Sequence, residues 1–134
     1  MEEHNSYSDV TSEIVRLAEL SKEAGVIDTE LYTKYDVKRG LRDLNGKGVL
    51  AGLTNISDVR ATKIADGKSV PCDGHLFYRG YEVNDLVEGF HKDNRFGFEE
   101  VTYLLLFNKL PTREELAEFE KLLIYYRSLP TSFV

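Results

Sequence analysis

Apolar side chains fall at Val10, Ile14, Leu17 and Ala18, then at Leu20 and Ala24, with polar residues between them. That spacing predicts an amphipathic helix with one face for a core. Ser8 or Asp9 stands where an N-cap is wanted, and Gly25 where a helix ends. A second, short helix is expected from Asp28, because Asp28-Thr29-Glu30 sets carboxylates in a first turn, where the helix dipole favours them. From about Val37 to Gly52 the pattern dissolves into a connector holding Gly40, Gly46, Gly48 and Gly52 among Lys38, Arg39, Arg42 and Lys47. Thr62-Lys63-Ile64-Ala65 then reads as strand, Asp66-Gly67 as a turn, and Asp73-Gly74 as another turn. His75-Leu76-Phe77-Tyr78 supplies further strand formers before Gly80. The expectation is a small antiparallel β ribbon near residues 61–79.

Helical spacing returns at Tyr81 to Phe90, with Val83, Leu86, Val87 and Phe90 on one face. Phe98 to Lys109 carries Val101, Leu104, Leu105, Leu106 and Phe107, apolar over so much of its circumference that burial on most sides is predicted. Thr112 and Glu115 form a capping-box pair opening a helix striped with Leu116, Phe119, Leu122, Leu123 and Tyr126, which Pro130 closes. The fold class expected is mainly α with that one β ribbon. Residues 1–134 read as one domain, of which residues 1–9 are a polar, frayed tail. The ending Thr131-Ser132-Phe133-Val134 reads as a helix just begun. A helix this apolar, lacking neighbours to cover it, is expected to leave a patch through which the chain self-associates.

Composition narrows the function. Net charge is −6, which gives no general attraction to nucleic acid or to anionic membranes. No apolar run approaches bilayer-spanning length, and the acidic start Met1-Glu2-Glu3 is unlike a targeting peptide. A cytoplasmic protein is expected. A single cysteine, Cys72, excludes an internal disulfide and lies in no metal-ligand spacing.

Candidate chemistry is sparse. His4, His75 and His91 have no recognisable nucleophile or metal partner, so structural or solvent roles are expected. The pairs Glu99-Glu100 and Glu114-Glu115 sit in first turns, where dipole and capping effects account for them. The glycines between 40 and 52 match no nucleotide-binding pattern. Tyr78-Arg79-Gly80-Tyr81 is more unusual: its arginine either binds an anion or braces the strand-to-helix junction.

Three stretches carry a resemblance. Gly74 through Leu86, with Tyr78-Arg79-Gly80-Tyr81 at its centre, resembles the signature of the citrate synthases. Phe98-Glu99-Glu100-Val101 through Leu106, followed by Lys109-Leu110-Pro111-Thr112, resembles a second family motif, with Asn108 where many members have glycine. Gly52-Leu53-Thr54-Asn55-Ile56-Ser57 through Asp66-Gly67 resembles the family's short β region. The likeness covers about residues 37 to 134 and is that of an N-terminal segment.

It implies a helical, homodimeric acyltransferase of the tricarboxylic acid cycle that condenses acetyl-CoA with oxaloacetate to citrate and CoA. Acetyl-CoA is a substrate there, and no cofactor is needed. In that chemistry a carboxylate takes a methyl proton while two histidines serve the enol and the oxaloacetate carbonyl. Nothing in this sequence matches those three residues, so no catalytic residue is assigned and the segment alone is expected to be inactive. One binding residue carries over: Gly40-Leu41-Arg42-Asp43-Leu44 looks like the family stretch whose arginine reaches a CoA phosphate, with a short insertion at Asn45 to Lys47. The resemblance thus implies a substrate-binding role for Arg42, whose planar fork suits phosphate. Two alternatives stay open: a 2-methylcitrate synthase segment, and a non-catalytic module for dimerisation or regulation.

Overall fold

The computed structural model describes residues 9–38, 40–42, 48–129 and 133. Along them run helices α1 (Ser12–Ala24) and α2 (Glu30–Lys34) and strands β1 (Ser57–Ala65), β2 (Lys68–Tyr78) and β3 (Tyr81–Glu82). Helices α3 (Val83–Lys92), α4 (Phe98–Phe107) and α5 (Arg113–Tyr126) follow. The described chain is therefore helical with a small three-stranded antiparallel sheet in the order β1-β2-β3.

The core sits where α4 meets α1 and α5. Tyr103 and Leu104 are 1% and 0% exposed, and Leu17, Phe107 and Phe119 are also buried. Tyr103, Phe107 and Phe119 pack edge to face, their centroids 4.6, 5.4 and 6.0 Å apart, the arrangement that suits the quadrupoles of aromatic rings. Leu20, Leu122 and Leu123 close the cluster's rim. α4 is not wrapped on most sides as its composition predicts: Phe98 and Leu106 stay exposed on the face away from α1 and α5. Across the top of this core, the Tyr126 hydroxyl donates to the Asp9 carbonyl at 2.8 Å, joining the two ends of the described chain. Of the tail expected at residues 1–9, only Asp9 is among the described residues.

Caps follow local chemistry. α5 opens with the reciprocal capping box of Thr112 and Glu115, as its sequence predicts. α1 is capped two residues beyond Asp9: the Thr11 side chain accepts from the Ile14 amide, and Ser8, the other cap expected, lies outside the described residues. α4 ends at Asn108, whose φ of 58° is left-handed. Asparagine tolerates that region better than most residues, which is why it can stand where glycine is usual. Gly97, before α4, allows close packing, since a Cβ there would collide with the Phe90 ring.

The sheet is one long hairpin with a stub. Asp66 and Gly67 both have positive φ, 51° and 71°, as a two-residue turn of the type I′ kind requires. Asp73-Gly74 is not a turn. The register passes from Arg60↔His75 to Thr62↔Pro71, so β2 carries two extra residues there and Cys72-Asp73-Gly74 forms a bulge. Pro71 is tolerated because β3 pairs only with Phe77 and Tyr78, leaving the other edge of β2 open at Pro71. A second tight turn at Arg79-Gly80, φ 49° and 88°, delivers β3 and then α3, so α3 begins at Val83 and not at Tyr81.

The Tyr103 hydroxyl is buried beside the Glu115 carboxylate, with no well-aligned hydrogen-bond partner among the described residues. Burial, then the nearby Glu115 charge, push its pKa above the ordinary tyrosine value. A raised folded value leaves stability whole below the unfolded pKa of about 10 and erodes it as pH climbs toward the folded value. Tyr103→Phe is therefore expected to raise stability by about 1 kcal/mol at neutral pH, since it removes an unpaired buried hydroxyl. It is also expected to flatten the alkaline fall. Thermal melts of both forms at neutral and alkaline pH check this, and a destabilised phenylalanine variant would mean the hydroxyl has a partner.

Candidate functional site

Arg79 ties the ends of α1 and α4 to the segment that leads into β1. Its left-handed backbone is held by a hydrogen bond that its amide N–H donates to the Ile56 carbonyl at 2.8 Å. Its guanidinium donates from Nε and Nη2 to the Leu105 carbonyl, at 3.1 and 2.8 Å. Nη1 donates to the Ala24 carbonyl at 3.1 Å and to Asn55 Oδ1 at 2.7 Å. Ala24 and Leu105 lie in the last turns of α1 and α4, where carbonyls lack intrahelical donors and the dipole end is negative. One cation thus satisfies two helix C-termini. Of the two roles the sequence left open for Arg79, the structure shows the brace.

Asn55 completes the junction. Its Nδ2 donates to the carbonyls of Ala24 and Val26, at 3.1 and 3.3 Å. Sequence reading passed over this residue; the only local signal was its place in Thr54-Asn55-Ile56-Ser57, directly before a strand.

Arg42, the predicted substrate contact, lies at the exposed surface and forms an isolated bridge with Gly48. The arms around it are joined by Lys38 N to Leu50 O at 2.8 Å and Val49 N to Leu41 O at 3.4 Å. The insertion at Asn45 to Lys47 lies outside the described residues, as do His4 and the helix stop expected at Pro130.

The other candidates are scattered. His75 is exposed on β2, with Nδ1 2.6 Å from Glu82 Oε1, and Arg60 stacks over Phe77 beside it at 4.4 Å. Cys72 lines the same open cleft of about 570 Å³ along the hairpin. His91 is exposed in the last turn of α3. Glu99 and Glu100 pair with Arg127 and Arg95, at 3.2 and 2.6 Å. Lys109 and the Thr112 amide hold Glu115 below the usual carboxylate range. Among the described residues no three His, Cys, Asp or Glu side chains are arranged to hold a metal ion. No helix there is long and apolar enough to cross a membrane.

Residues 41–134 match the family model described as citrate synthase, C-terminal domain. The chain belongs to the citrate synthase family. Over 102 residues it is 39% identical to 2-methylcitrate synthase 2 of Corynebacterium glutamicum, covering 76% of this chain and 21% of that protein. It is 46% identical over 55 residues to the 2-methylcitrate synthase of Shewanella oneidensis, covering 41% and 13%. With the citrate synthase of Saccharolobus solfataricus it shares 38% over 74 residues, covering 54% and 17%. The chain thus spans about a fifth or less of the length of these relatives. No solved structure matches it at comparable significance.

Proposed function

We propose that this chain is the leading, mainly α part of a citrate synthase large domain, in an enzyme that condenses acetyl-CoA with oxaloacetate. The observation that carries the reading is the family match over residues 41–134. Its place near the front of the enzyme rests on the order of the three motifs between Gly52 and Thr112. The reading gives the chain a scaffold role, with Arg42 contributing to the CoA phosphates and no cofactor beyond the substrates. The homodimer and a cytoplasmic setting belong to the same proposal.

The first test is release of CoA thiol from acetyl-CoA and oxaloacetate. The 134-residue chain alone is expected to release none, while the full-length product of its gene does. Oxaloacetate-dependent release by the short chain would overturn the placement of the chemistry and make His75 and His91 the residues to mutate. In the full-length product, Arg42→Ala is expected to raise KM for acetyl-CoA about tenfold, the worth of one charge-assisted phosphate contact, with KM for oxaloacetate unmoved. An unchanged acetyl-CoA KM would remove Arg42 from the site.

A second reading has a specific support, since two of the relatives above are named 2-methylcitrate synthases at 39% and 46% identity. It differs only in the acyl chain. Propionyl-CoA preferred over acetyl-CoA in the same assay would select it.

A further inference from the structure

We infer that the open edge of β1 is a self-pairing surface, to which a second copy of this chain adds its own β1, antiparallel, about a two-fold axis at Val59. Neither the acyl-CoA chemistry nor Arg42 enters into it.

β1 packs on β2, and every residue from Ser57 to Ile64 is exposed. Among the described residues no strand lies on its other side. Proteins blunt such edges with proline, bulges or charge. Pro71 and the bulge at Cys72-Asp73-Gly74 interrupt the edge of β2, but β1 has neither. Its guards are charges of both signs, Asp58, Arg60 and Lys63.

The ladder fixes what the edge offers. The Arg79 amide donates to the Ile56 carbonyl, so Ile56 turns its backbone groups inward. Tyr78 pairs with Tyr81 across the Arg79-Gly80 turn, which commits Tyr78 to β3 and Phe77 to its β1 partner, Asp58. Antiparallel pairing alternates, so Ser57 and Val59 point their N–H and C=O groups outward. Two copies of Val59 brought face to face exchange both bonds.

The side chains choose the occupant. With Val59 opposite its own copy, Asp58 of each chain stands opposite Arg60 of the other, and Ser57 opposite Ala61. The run Asp58-Val59-Arg60 is thus complementary to itself in antiparallel order, as an isologous contact requires. Moving the axis by one residue sets Asp58 or Arg60 against its own copy, and repulsion rejects those registers. Val59, 72% exposed, packs on its copy at the axis. Arg60 lies over the Phe77 ring and holds Asp58 of its own strand through Nε at 2.6 Å. Its Nη groups remain to meet Asp58 of the second copy, so that the four charges alternate in sign. A joint of this size belongs to the weak end of protein interfaces, and cross-linking is the readout that suits it.

The test is disulfide formation in this chain, with Cys72→Ser as the background. Copies of residue 59 would lie about 5.5 Å apart between Cα atoms, within disulfide reach. Copies of residue 63 would lie about 27 Å apart. Val59→Cys is therefore expected to give about tenfold more covalent dimer than Lys63→Cys, because pairing holds only its thiols together. Both positions are exposed, and circular dichroism checks that the fold is kept. Adding Asp58→Arg or Arg60→Asp to Val59→Cys sets like charges opposite one another and should lower the yield about tenfold. Mixing those two variants restores opposite charges, and mass spectrometry should find the mixed dimer recovered. Equal yields at residues 59 and 63, or a mixture no better than its parts, would overturn the inference. Association would then run through another face, such as the exposed Phe98 and Leu106 of α4.

Discussion

Phe119→Ala is expected to lower the melting temperature by roughly 10–20 °C, the consequence of losing about 3–5 kcal/mol in a domain of this size. Phe119 is the residue of α5 that enters the core, with its ring edge-on to both Tyr103 and Phe107. Truncation leaves a cavity between three helices that the hydrogen-bonded backbone cannot close. The core has little in reserve, since only six hydrophobic side chains are buried among the described residues, and of those only Tyr103 and Leu104 fully. A thermal melt followed by circular dichroism checks the shift. A change of a few degrees would show that α5 is loosely attached and that α1 and α4 carry the fold.

Arg79→Met is expected to cost roughly 3 kcal/mol, although methionine preserves most of the side-chain volume. The loss has two parts. The Leu105 carbonyl loses its side-chain donor at the end of α4, and the Ala24 carbonyl at the end of α1 keeps only Asn55 Nδ2. The left-handed backbone at φ 49° then lacks the network that compensates its strain. Arg79→Lys should recover less than half of this, because a point charge cannot span carbonyls on two helices and Asn55 as a fork does. Urea titrations of the three forms decide it. A lysine variant as stable as the original would show that charge, and not geometry, holds the junction.

Local chemistry was legible in the sequence wherever one short segment decides the outcome. The Thr112–Glu115 capping box, the Asp66-Gly67 turn and the apolar stripes of α1 and α5 all depend on residues a few positions apart. Asp73-Gly74 shows the limit. The same residue pair that makes a hairpin turn also makes a bulge, and pairing with β1 chooses between them. Arg79-Gly80 shows the reverse case, a tight turn with an arginine where asparagine or aspartate is usual. Its left-handed conformation is held by partners 24, 26 and 55 positions away. No window of sequence contains that network. The surroundings of Arg42 were legible only through family likeness, because nothing in a glycine-rich basic loop distinguishes a phosphate contact from a solvated charge.

The hydrogen bond from Tyr126 to Asp9 closes a span of 117 residues. A ribosome adding about 5–20 residues per second takes roughly 6–23 seconds to cross that distance. Helix α1 emerges first, yet the aromatic residues that cover Leu17 come from α4 and α5, near the far end of the span. Until α5 has been made, then, the nascent polypeptide carries an amphipathic helix whose Leu17 is uncovered. The hairpin, whose pairing is local, is complete before α1 finds its seat.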